Sequence, residues 1–414
     1  MKRKRVVVTG LGCVNPLGNN VIDTWNALMA GKSGAGSITL FDASCHKTKF
    51  AAEVKDFDGA ALFGKRDSRR MDRFVQFALA ASLQAVEHSE LIITDENRDR
   101  IGVFIGTGIG GINTLLGQVE VLRERGIDRI SPFLVPMMLA DTGPGMVSIY
   151  LGLRGPNMAI VTACATGSNA IGEAVEVIRR GDADVMLAGG SEAAIVPISM
   201  AGLNVMGALS TRNEDPTRAS RPFEMERDGF VIGEGSAVLV LESFEYAQER
   251  NAHILAEVTG YGTSADAYHI SAPAEDGEGA SICMKLALKS ANLQPEQIDY
   301  INAHGTSTIL NDMSETAAIK NVFGEYAYHF PISSTKSMMG HLLGASGAIE
   351  ALICVKIFQE NQIPATINYE TQDPECDLDY VPNVPRKAHP EHIMSNSFGF
   401  GGHNATLVIS RFNG

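Results

Sequence analysis

The sequence contains one arrangement of segments twice, and this repetition limits the possible fold more than any other feature. Four segments of the first part of the chain have weak counterparts, in the same order, in the second part. The pairs are residues 6–12 with 256–262, 100–108 with 299–306, 164–180 with 341–359, and 184–190 with 392–399. Ordered internal similarity of this kind indicates duplicated structural units. We predict two fused copies that meet near residues 245–255, with an N-terminal half over 1–252 and a C-terminal half over 253–414.

Each copy has the pattern of an α/β protein. Apolar runs typical of buried strands alternate with runs of helical spacing, which indicates layers of helices on a sheet. The first copy is longer, and residues 41–75, 106–155 and 191–230 account for the difference. These segments are rich in Arg, Gly, Met and Pro, as loops over a site often are. We expect them to be cap insertions in the first half.

The composition favours a globular protein that stays in the cytoplasm, away from membranes and nucleic acids. Of 414 residues, 45% are hydrophobic and 20% are charged, and the net charge is −14. The basic start is followed by only about three apolar residues, too few for a signal peptide, and no apolar run is long enough to span a bilayer. The six cysteines lie far apart without a CxxC pair, which argues against zinc and a disulfide framework.

Cys164 stands where an apolar strand passes into a helix. Ile171, Val175 and Ile178 mark one helical face, and Gly181 follows as a stop. At a helix N-terminus, free backbone N–H groups favour a thiolate and can hold a carbonyl oxygen as it becomes an oxyanion. The sequence therefore predicts a nucleophilic cysteine. The alternative is a buried cysteine packed among small residues.

Two histidines of the second copy follow strand-like runs. His304 comes directly after residues 300–303, and His341 ends the run 331–341, which also contains Lys336. The carboxyl ends of strands border ligand sites in α/β sheets, so we expect both rings at one crevice. Two neutral histidines facing a thioester oxygen can stabilise the enolate formed when a carboxylate leaves as CO2. A cysteine hydrolase would need only one histidine as its base.

A glycine-rich run closes the pattern of candidate motifs. Gly399, Gly401 and Gly402 permit close backbone approach and positive φ, and Phe398 and Phe400 offer an apolar slot. The run is not a GxGxxG that leads into a helix, so we do not expect a dinucleotide site.

Together these motifs resemble those of the thiolase-fold β-ketoacyl-[acyl-carrier-protein] synthases, most closely the type II members. The matching motifs cover nearly the whole chain and are Val6-Val-Val-Thr-Gly-Leu-Gly12, Gly106-Thr-Gly-Ile-Gly-Gly111, Thr162-Ala-Cys-Ala-Thr-Gly167, Asn302-Ala-His-Gly-Thr-Ser-Thr308, Ser334-Thr-Lys-Ser-Met-Met-Gly-His341 and Asn396-Ser-Phe-Gly-Phe-Gly-Gly402. The resemblance implies a five-layered αβαβα fold, a homodimer, and elongation of fatty acyl chains with malonyl-[acyl-carrier protein]. It implies no cofactor, because the substrates are carried on the phosphopantetheine arm of acyl carrier protein.

The resemblance also implies roles for the residues that match the motifs. Cys164 would take the acyl group, while His304 and His341 would promote decarboxylation and stabilise the enolate. Lys336 would support the two histidines. The backbone N–H groups of Cys164 and Phe400 would form an oxyanion hole, and Phe400 would gate the admission of malonyl.

Further residues are implied to bind substrate or an ion. Thr306 and Thr308 would contact the pantetheine arm, Phe398 would also bind substrate, and Ile109 would lie along the acyl pocket. No metal is required, although a structural monovalent cation is compatible with one polar group of residues. The members of that group are Asn302, Glu350, Ser395 and Asn396.

Docking of an acidic carrier protein to an acidic chain needs a local basic patch. The segment Lys65-Arg66-Asp-Ser-Arg69-Arg70 places four basic residues within six positions, and Arg129 lies in another cap segment. We expect Arg66, Arg69, Arg70 and Arg129 to form a docking surface. The alternative is a solvated helix face.

Several other activities fit parts of the pattern. A ketosynthase of a specialised lipid or polyketide pathway would carry the same motifs, and a non-enzymatic chain-length partner would lack the cysteine. A degradative thiolase needs a second cysteine near the glycine-rich run, and residues 395–405 contain none. An initiating synthase is expected to have Cys-His-Asn, so His341 argues against it. Ile309 and His403 depart from common residues of the resembled family and leave the acyl preference open.

Overall fold

The computed structural model describes residues 3–414, and its first half is rich in short elements between long strands. The helices and strands of this half, in chain order, are β1 (Val6–Val14), α1 (Val21–Met29), β2 (Gly36–Ser37), β3 (Phe50–Ala51), α2 (Gly59–Phe63), α3 (Lys65–Ser68), α4 (Arg73–Ser89), β4 (Ile101–Gly106), α5 (Ile112–Arg125), α6 (Leu134–Met138), α7 (Thr142–Leu151), β5 (Asn157–Met158), α8 (Thr166–Arg180), β6 (Val185–Glu192), α9 (Pro197–Val205) and β7 (Gly235–Ser243).

The second half has fewer elements between equivalent strands. After α10 (Phe244–Glu249), which ends the first half, they are β8 (Ala256–Ala265), α11 (Glu278–Ala291), β9 (Tyr300–Asn302), α12 (Ile309–Phe323), β10 (Ile332–Ser333), α13 (Lys336–Met339), α14 (Ser346–Glu360), β11 (Gln362–Ile363), β12 (Arg386–Lys387), β13 (His392–Gly399) and β14 (His403–Ser410). The strands β13 and β14 form a tight hairpin, whereas their counterparts β6 and β7 are separated by α9 and a long segment. The first half therefore carries the cap insertions.

Ten strands pair in the order β10-β9-β13-β14-β8-β1-β7-β6-β4-β5, and the order reads the same from the centre outwards in both directions. In each half the first strand is antiparallel to the last, the last is antiparallel to the strand before it, and the outer two pairs are parallel. Even the irregularities correspond. The register of β1 on β7 shifts between Val8 and Gly10, and the register of β14 on β8 shifts between Val408 and Ile409. The predicted duplication is confirmed.

The two halves meet through α8 and α14, which pack on each other and on strands of both halves. Each helix follows a single 3₁₀ turn, Ala163–Ala165 or Leu343–Ala345. The approach is close because of glycine: a Cβ atom on Gly167 would lie 2.5 Å from the Ala348 nitrogen, and one on Gly347 would lie 2.7 Å from the Ser168 nitrogen. These two helices form the middle layer of the molecule.

The outer layers are equivalent as well. Helix α4 packs on β1 and β7 of the first half, and α11 packs on β8 and β14 of the second. All nine residues of β1 are buried, as expected for a strand covered on both faces. The fold is therefore the predicted five-layered αβαβα arrangement of thiolase-like proteins. Within residues 3–414, no helix is both long and apolar enough to cross a bilayer.

Candidate active site

One cavity brings together most of the candidate residues. Its volume is about 480 Å³, and Cys164, His304 and His341 all line it. Four further predicted residues share the lining: Thr306, Thr308, Phe398 and Phe400. The cysteine comes from the first copy and the histidines from the second, so the cavity lies where the two halves meet. In agreement with the sequence analysis, the site forms beyond the carboxyl ends of strands.

Cys164 sits at a strained elbow before α8. The preceding residue, Ala163, has φ of 49°, a left-handed conformation that is uncommon for residues with a side chain. The turn is held by two hydrogen bonds, from the Thr162 N–H to the Thr166 hydroxyl over 2.9 Å and from the Ala165 N–H to the Thr162 carbonyl over 3.0 Å. The elbow turns the thiol towards the cavity and leaves its own N–H at the start of the helix.

The charge of the thiol differs from the sequence-based expectation. Burial raises the pKa of Cys164 to about 12, while the Lys336 ammonium and the backbone N–H of Phe400 act in the lowering direction. The helix start was expected to favour a thiolate, but the thiol is so enclosed that desolvation of the anion dominates. Cys164 therefore holds its proton in the resting protein and must release it when a substrate carbonyl arrives.

Phe400 and Gly399 lie against the cysteine from the β13–β14 hairpin. The Phe400 N–H faces the Cys164 thiol. A Cβ atom on Gly399 would come within 3.0 Å of the Cys164 nitrogen and 2.7 Å of the Thr162 oxygen. The absence of a side chain at this position lets two backbone N–H groups converge beside the sulfur, which is the geometry of an oxyanion hole.

His304 is fixed through its backbone. The N–H groups of His304 and Gly305 donate to the two carboxylate oxygens of Glu315, over 2.8 and 2.7 Å. Lys336 donates from Nζ to the His304 carbonyl over 2.6 Å, and its Nζ lies 3.5 Å from the imidazole Nδ1. Burial, the Lys336 charge and His341 hold the pKa of His304 well below its usual value.

His341 does not follow β10 directly, as the sequence analysis expected, because the short helix α13 lies between them. Its N–H donates to the Val231 carbonyl over 2.7 Å, and its Nδ1 lies 2.8 Å from the Ser346 hydroxyl. The ring centroids of His341 and His304 are 5.4 Å apart. Burial and Lys336 lower the pKa of His341 well below the usual value, so both rings are neutral at pH 7.

Lys336 lies behind the histidines and is 1% exposed. It pairs with the buried carboxylate of Glu350 on α14. Burial raises the pKa of Glu350 to about 7, although the ammonium opposes this shift. Lys336 therefore holds the His304 backbone and lines no part of the cavity.

The residues proposed for a monovalent cation form a polar group below the site. Ser395 and Asn302 are neighbours in the β13–β9 ladder. Among the described residues, both polar atoms of the Asn302 side chain, Glu350 Oε2 and Ser395 Oγ are buried without a hydrogen-bond partner. Asn396 differs, since its oxygen accepts from the Thr406 hydroxyl. Unpaired oxygens from Asn, Glu and Ser fit a hard cation. Residues 3–414 contain no cluster of three His, Cys, Asp or Glu side chains with metal-binding geometry.

Ile109 is the one predicted substrate-binding residue outside the lining of this cavity. It is 47% exposed, and its N–H donates to Glu192 over 3.3 Å. The sequence analysis overlooked Glu192 and also Glu315, two fully enclosed carboxylates that hold loops of the site. A charged residue that ends a mostly apolar strand, as Glu192 ends β6, is a usable signal.

The predicted docking residues lie on the surface. Arg66, Arg69 and Arg129 are exposed, and the Arg70 guanidinium lies 4.7 Å from the centre of the Phe133 ring. The neighbouring Arg73, by contrast, donates to the buried Glu234 over 2.7 Å and is not free to meet a partner.

Comparison with known proteins agrees with this geometry. The model of the beta-ketoacyl synthase N-terminal domain matches residues 3–247, and that of the beta-ketoacyl synthase C-terminal domain matches residues 255–370. The chain belongs to the β-ketoacyl synthase family. It is a condensing enzyme, an acyltransferase, and the boundary predicted at residues 252 and 253 remains a prediction.

Other members of the β-ketoacyl synthase family match along their full length. A protein of Synechocystis sp. named 3-oxoacyl-[acyl-carrier-protein] synthase 2 is 52% identical over 412 residues, covering 100% of this chain and 99% of the relative. One of the same name from Coxiella burnetii is 51% identical over 99% of both chains. A solved beta-ketoacyl synthase from Burkholderia phymatum is 36% identical with a TM-score of 0.92 over 99% of this chain and 100% of that one.

A further solved structure shows a relative together with its carrier. It contains a type II polyketide ketosynthase in complex with its acyl-carrier protein and bound to a hexaketide. The matched chain is 38% identical, with a TM-score of 0.91 and complete coverage of both chains.

Proposed function

We propose that this condensing enzyme elongates fatty acyl chains by a ping-pong reaction between an acyl thioester and malonyl-[acyl-carrier protein]. The observation that carries the proposal is the convergence of Cys164, His304 and His341 on one cavity at the junction of the halves. The full-length relatives named 3-oxoacyl-[acyl-carrier-protein] synthase 2 support the same substrate class.

The first half-reaction transfers the acyl group. The Cys164 sulfur attacks the thioester carbonyl, and the developing oxyanion accepts from the N–H groups of Cys164 and Phe400. The thiol proton leaves with the pantetheine sulfur. Cys164 belongs to a cluster of buried apolar side chains with Ile195, Met200 and Leu343, which suits an acyl chain.

The second half-reaction forms the carbon–carbon bond. Malonyl loses CO2, and the electron pair of the broken bond moves into an enolate whose oxygen accepts from His304 and His341. Both rings are neutral, so each carries one N–H group that can donate a hydrogen bond to the enolate oxygen. The enolate carbon then attacks the acyl carbonyl on Cys164, the C–S bond breaks, and the released thiolate takes up one proton from solvent.

The surrounding residues have supporting parts in this proposal. Thr306 and Thr308, whose hydroxyls are hydrogen-bonded to each other, line the same cavity as His304 and would contact the pantetheine arm, and Phe398 of the same lining would also bind substrate. Phe400 gates the admission of malonyl. Asn302, Glu350 and Ser395 would hold a monovalent cation, which would neutralise the carboxylate oxygen that Lys336 does not meet.

The protein is further proposed to act as a homodimer. Strand β5 is an edge of the ten-stranded sheet, and its two residues are exposed. Helix α5 buries none of its residues, yet Leu115, Val119 and Leu122 form an exposed apolar row at helical spacing. An unpaired strand edge and an uncovered apolar helix face are each suited to contact with a second copy of the chain. The partner of the reaction is acyl carrier protein, and a cytoplasmic location stays a prediction.

Replacement of Cys164 tests the proposed chemistry directly. Cys164→Ala removes one sulfur and should leave the fold intact, while abolishing the mass increase expected from acyl transfer and all condensation product. Intact-protein mass spectrometry after incubation with acyl-[acyl carrier protein] measures the first effect. An alanine variant that still condensed at a near wild-type rate would exclude the assigned nucleophile.

A further inference from the structure

The duplication gives the catalytic cysteine a counterpart. The 3₁₀ turns before α8 and α14 begin at Ala163 and Leu343, with φ of 49° and 47°, and both helices contain 15 residues. Residue by residue, Cys164 therefore corresponds to Gly344. The second copy thus repeats the nucleophile elbow without a nucleophile, and its backbone N–H groups still point out of the start of a helix.

The residues that meet these two elbows also correspond. Glu192 is the last residue of β6 and pairs with Gly235, while Gly399 is the last residue of β13 and pairs with His403. Gly399 lies against the Cys164 nitrogen without a side chain. Glu192 reaches the equivalent place with its carboxylate, and its Oε2 accepts from the Gly344 N–H over 3.1 Å. The first elbow keeps the Cys164 N–H free for an oxyanion, whereas the second donates its Gly344 N–H to the carboxyl group of Glu192.

Three further donors converge on the same carboxylate from the loop after β4. The Thr107 hydroxyl donates over 3.0 Å, the Gly108 N–H over 2.7 Å and the Ile109 N–H over 3.3 Å. Glu192 is 0% exposed, and no salt bridge to it occurs among residues 3–414. Burial raises the pKa of Glu192 to about 7, and the hydrogen bonds from the backbone N–H groups and the Thr107 hydroxyl act in the lowering direction. Glu192 ties a first-half loop to a second-half helix.

We propose that Glu192 is a positioning residue whose carboxyl group fills the second copy's equivalent of the oxyanion site and thereby fixes His341, one of the two histidines of the decarboxylation step. Gly344 lies three residues after His341 and two before Ser346, whose hydroxyl meets the His341 Nδ1. Loss of the hydrogen bond between Gly344 and Glu192 would loosen the backbone after His341. It would also loosen the Ser346 side chain, which orients the His341 ring. The inference rests on the role proposed for His341.

The test separates the two half-reactions in the full-length protein. Glu192→Gln keeps the shape of the side chain but turns one acceptor oxygen into an NH2 group that faces N–H donors. CO2 release from malonyl-[acyl carrier protein] should fall by roughly tenfold to a hundredfold, as for small misplacements of catalytic groups. The rate at which a short acyl-[acyl carrier protein] acylates Cys164, measured by mass spectrometry, should change less than about twofold, because the elbow that carries Cys164 is untouched.

A matched variant controls for the loss of a buried carboxylate as such. Glu242 on β7 is equally buried and accepts from Thr9 and Arg250, outside the lining of the cavity. Glu242→Gln should lower stability while keeping the ratio of the two half-reaction rates at the wild-type value. Should Glu192→Gln keep that ratio as well, the positioning role is overturned.

A milder variant decides the matter if Glu192→Gln does not fold. Thr107→Val removes one donor to the carboxylate and no charge, and should slow CO2 release by about twofold to tenfold with acylation unchanged. Unchanged CO2 release in this variant would overturn the inference. A wild-type protein that released no CO2 would instead contradict the proposed function itself.

Discussion

At the scale of single residues, burial is the largest influence on the charge of Cys164, His304 and His341. The pKa values of His304 and His341 are lowered because an imidazolium would be desolvated beside the Lys336 ammonium. Burial acts in the opposite direction on Glu315 and raises its pKa to about 7. The same low polarity that keeps the histidines neutral keeps the thiol of Cys164 protonated. The site therefore begins the reaction with proton donors in place and little net charge.

The two histidines should make stability depend on pH with a definite sign. Their folded pKa values are depressed, so below about pH 6.5 the unfolded chain binds protons that the folded protein does not. As the pH drops below 6.5, the free energy of unfolding of the wild type should therefore fall relative to that of the double variant His304→Asn with His341→Asn. The maximum slope is about 1.4 kcal/mol per pH unit for each histidine.

Urea unfolding of both proteins at several pH values measures this difference. The opposite pH dependence of Glu315 and Glu350 is common to the two proteins and cancels to first order. A difference in unfolding free energy that stayed constant from pH 7.5 to pH 5.5 would mean that the histidines titrate normally in the folded protein.

At the scale of elements, the hairpin of β13 and β14 determines whether the nucleophile has an oxyanion hole. Gly399→Ala would place a methyl group 3.0 Å from the Cys164 nitrogen. Acylation of Cys164 should slow by about a hundredfold, which is typical for the loss of one oxyanion donor. Stopped-flow or quenched mass spectrometry measures the rate. Gly145→Ala on α7, where a Cβ atom meets nothing within 4 Å, is the control and should be unaffected.

Sequence patterns predicted the elements and their order because each copy repeats the same alternation of buried strands and helices. They also singled out Cys164, His304 and His341 from local order along the chain, although His341 follows helix α13 and not a strand. They did not predict Glu192, because its four hydrogen-bond donors come from segments 83 to 152 residues away. Sequence patterns also did not predict the charge of the Cys164 thiol, because its desolvation depends on side chains contributed by both halves.

At the scale of the whole molecule, the uncovered face of α5 and the edge strand β5 should belong to a dimer interface. In the isolated chain, Val119 is 44% exposed and Met158 is 53% exposed. The double variant Val119→Asp with Met158→Asp would place a charge at each of these positions. Analytical ultracentrifugation should then show a shift from dimer to monomer. The matched variant Ile22→Asp, at a 71% exposed position on α1, should stay dimeric. A wild type that sediments as a monomer would refute the interface.

The acidic chain should attract its acidic carrier only through the local basic patch. Arg66 and Arg69 are exposed and make no ion pair within residues 3–414, so both charges are available to a partner. Arg70 is a poorer test, since its guanidinium packs on Phe133. Charges at the rim of an interface mainly alter association rate and salt dependence. Reversal of both arginines should therefore weaken docking and leave the chemistry intact.

Arg66→Glu with Arg69→Glu should raise the KM for acyl-[acyl carrier protein] several-fold at low salt, and the difference should shrink as salt screens the charges. A short pantetheine thioester makes no such contact, so its kcat/KM should barely change. Lys285→Glu with Lys289→Glu, on the exposed side of α11, reverses the same amount of charge elsewhere. If that control raises the KM for the carrier protein equally, the effect comes from net charge and the patch is no docking surface. Equal loss with the pantetheine thioester would instead place the arginines in support of the fold.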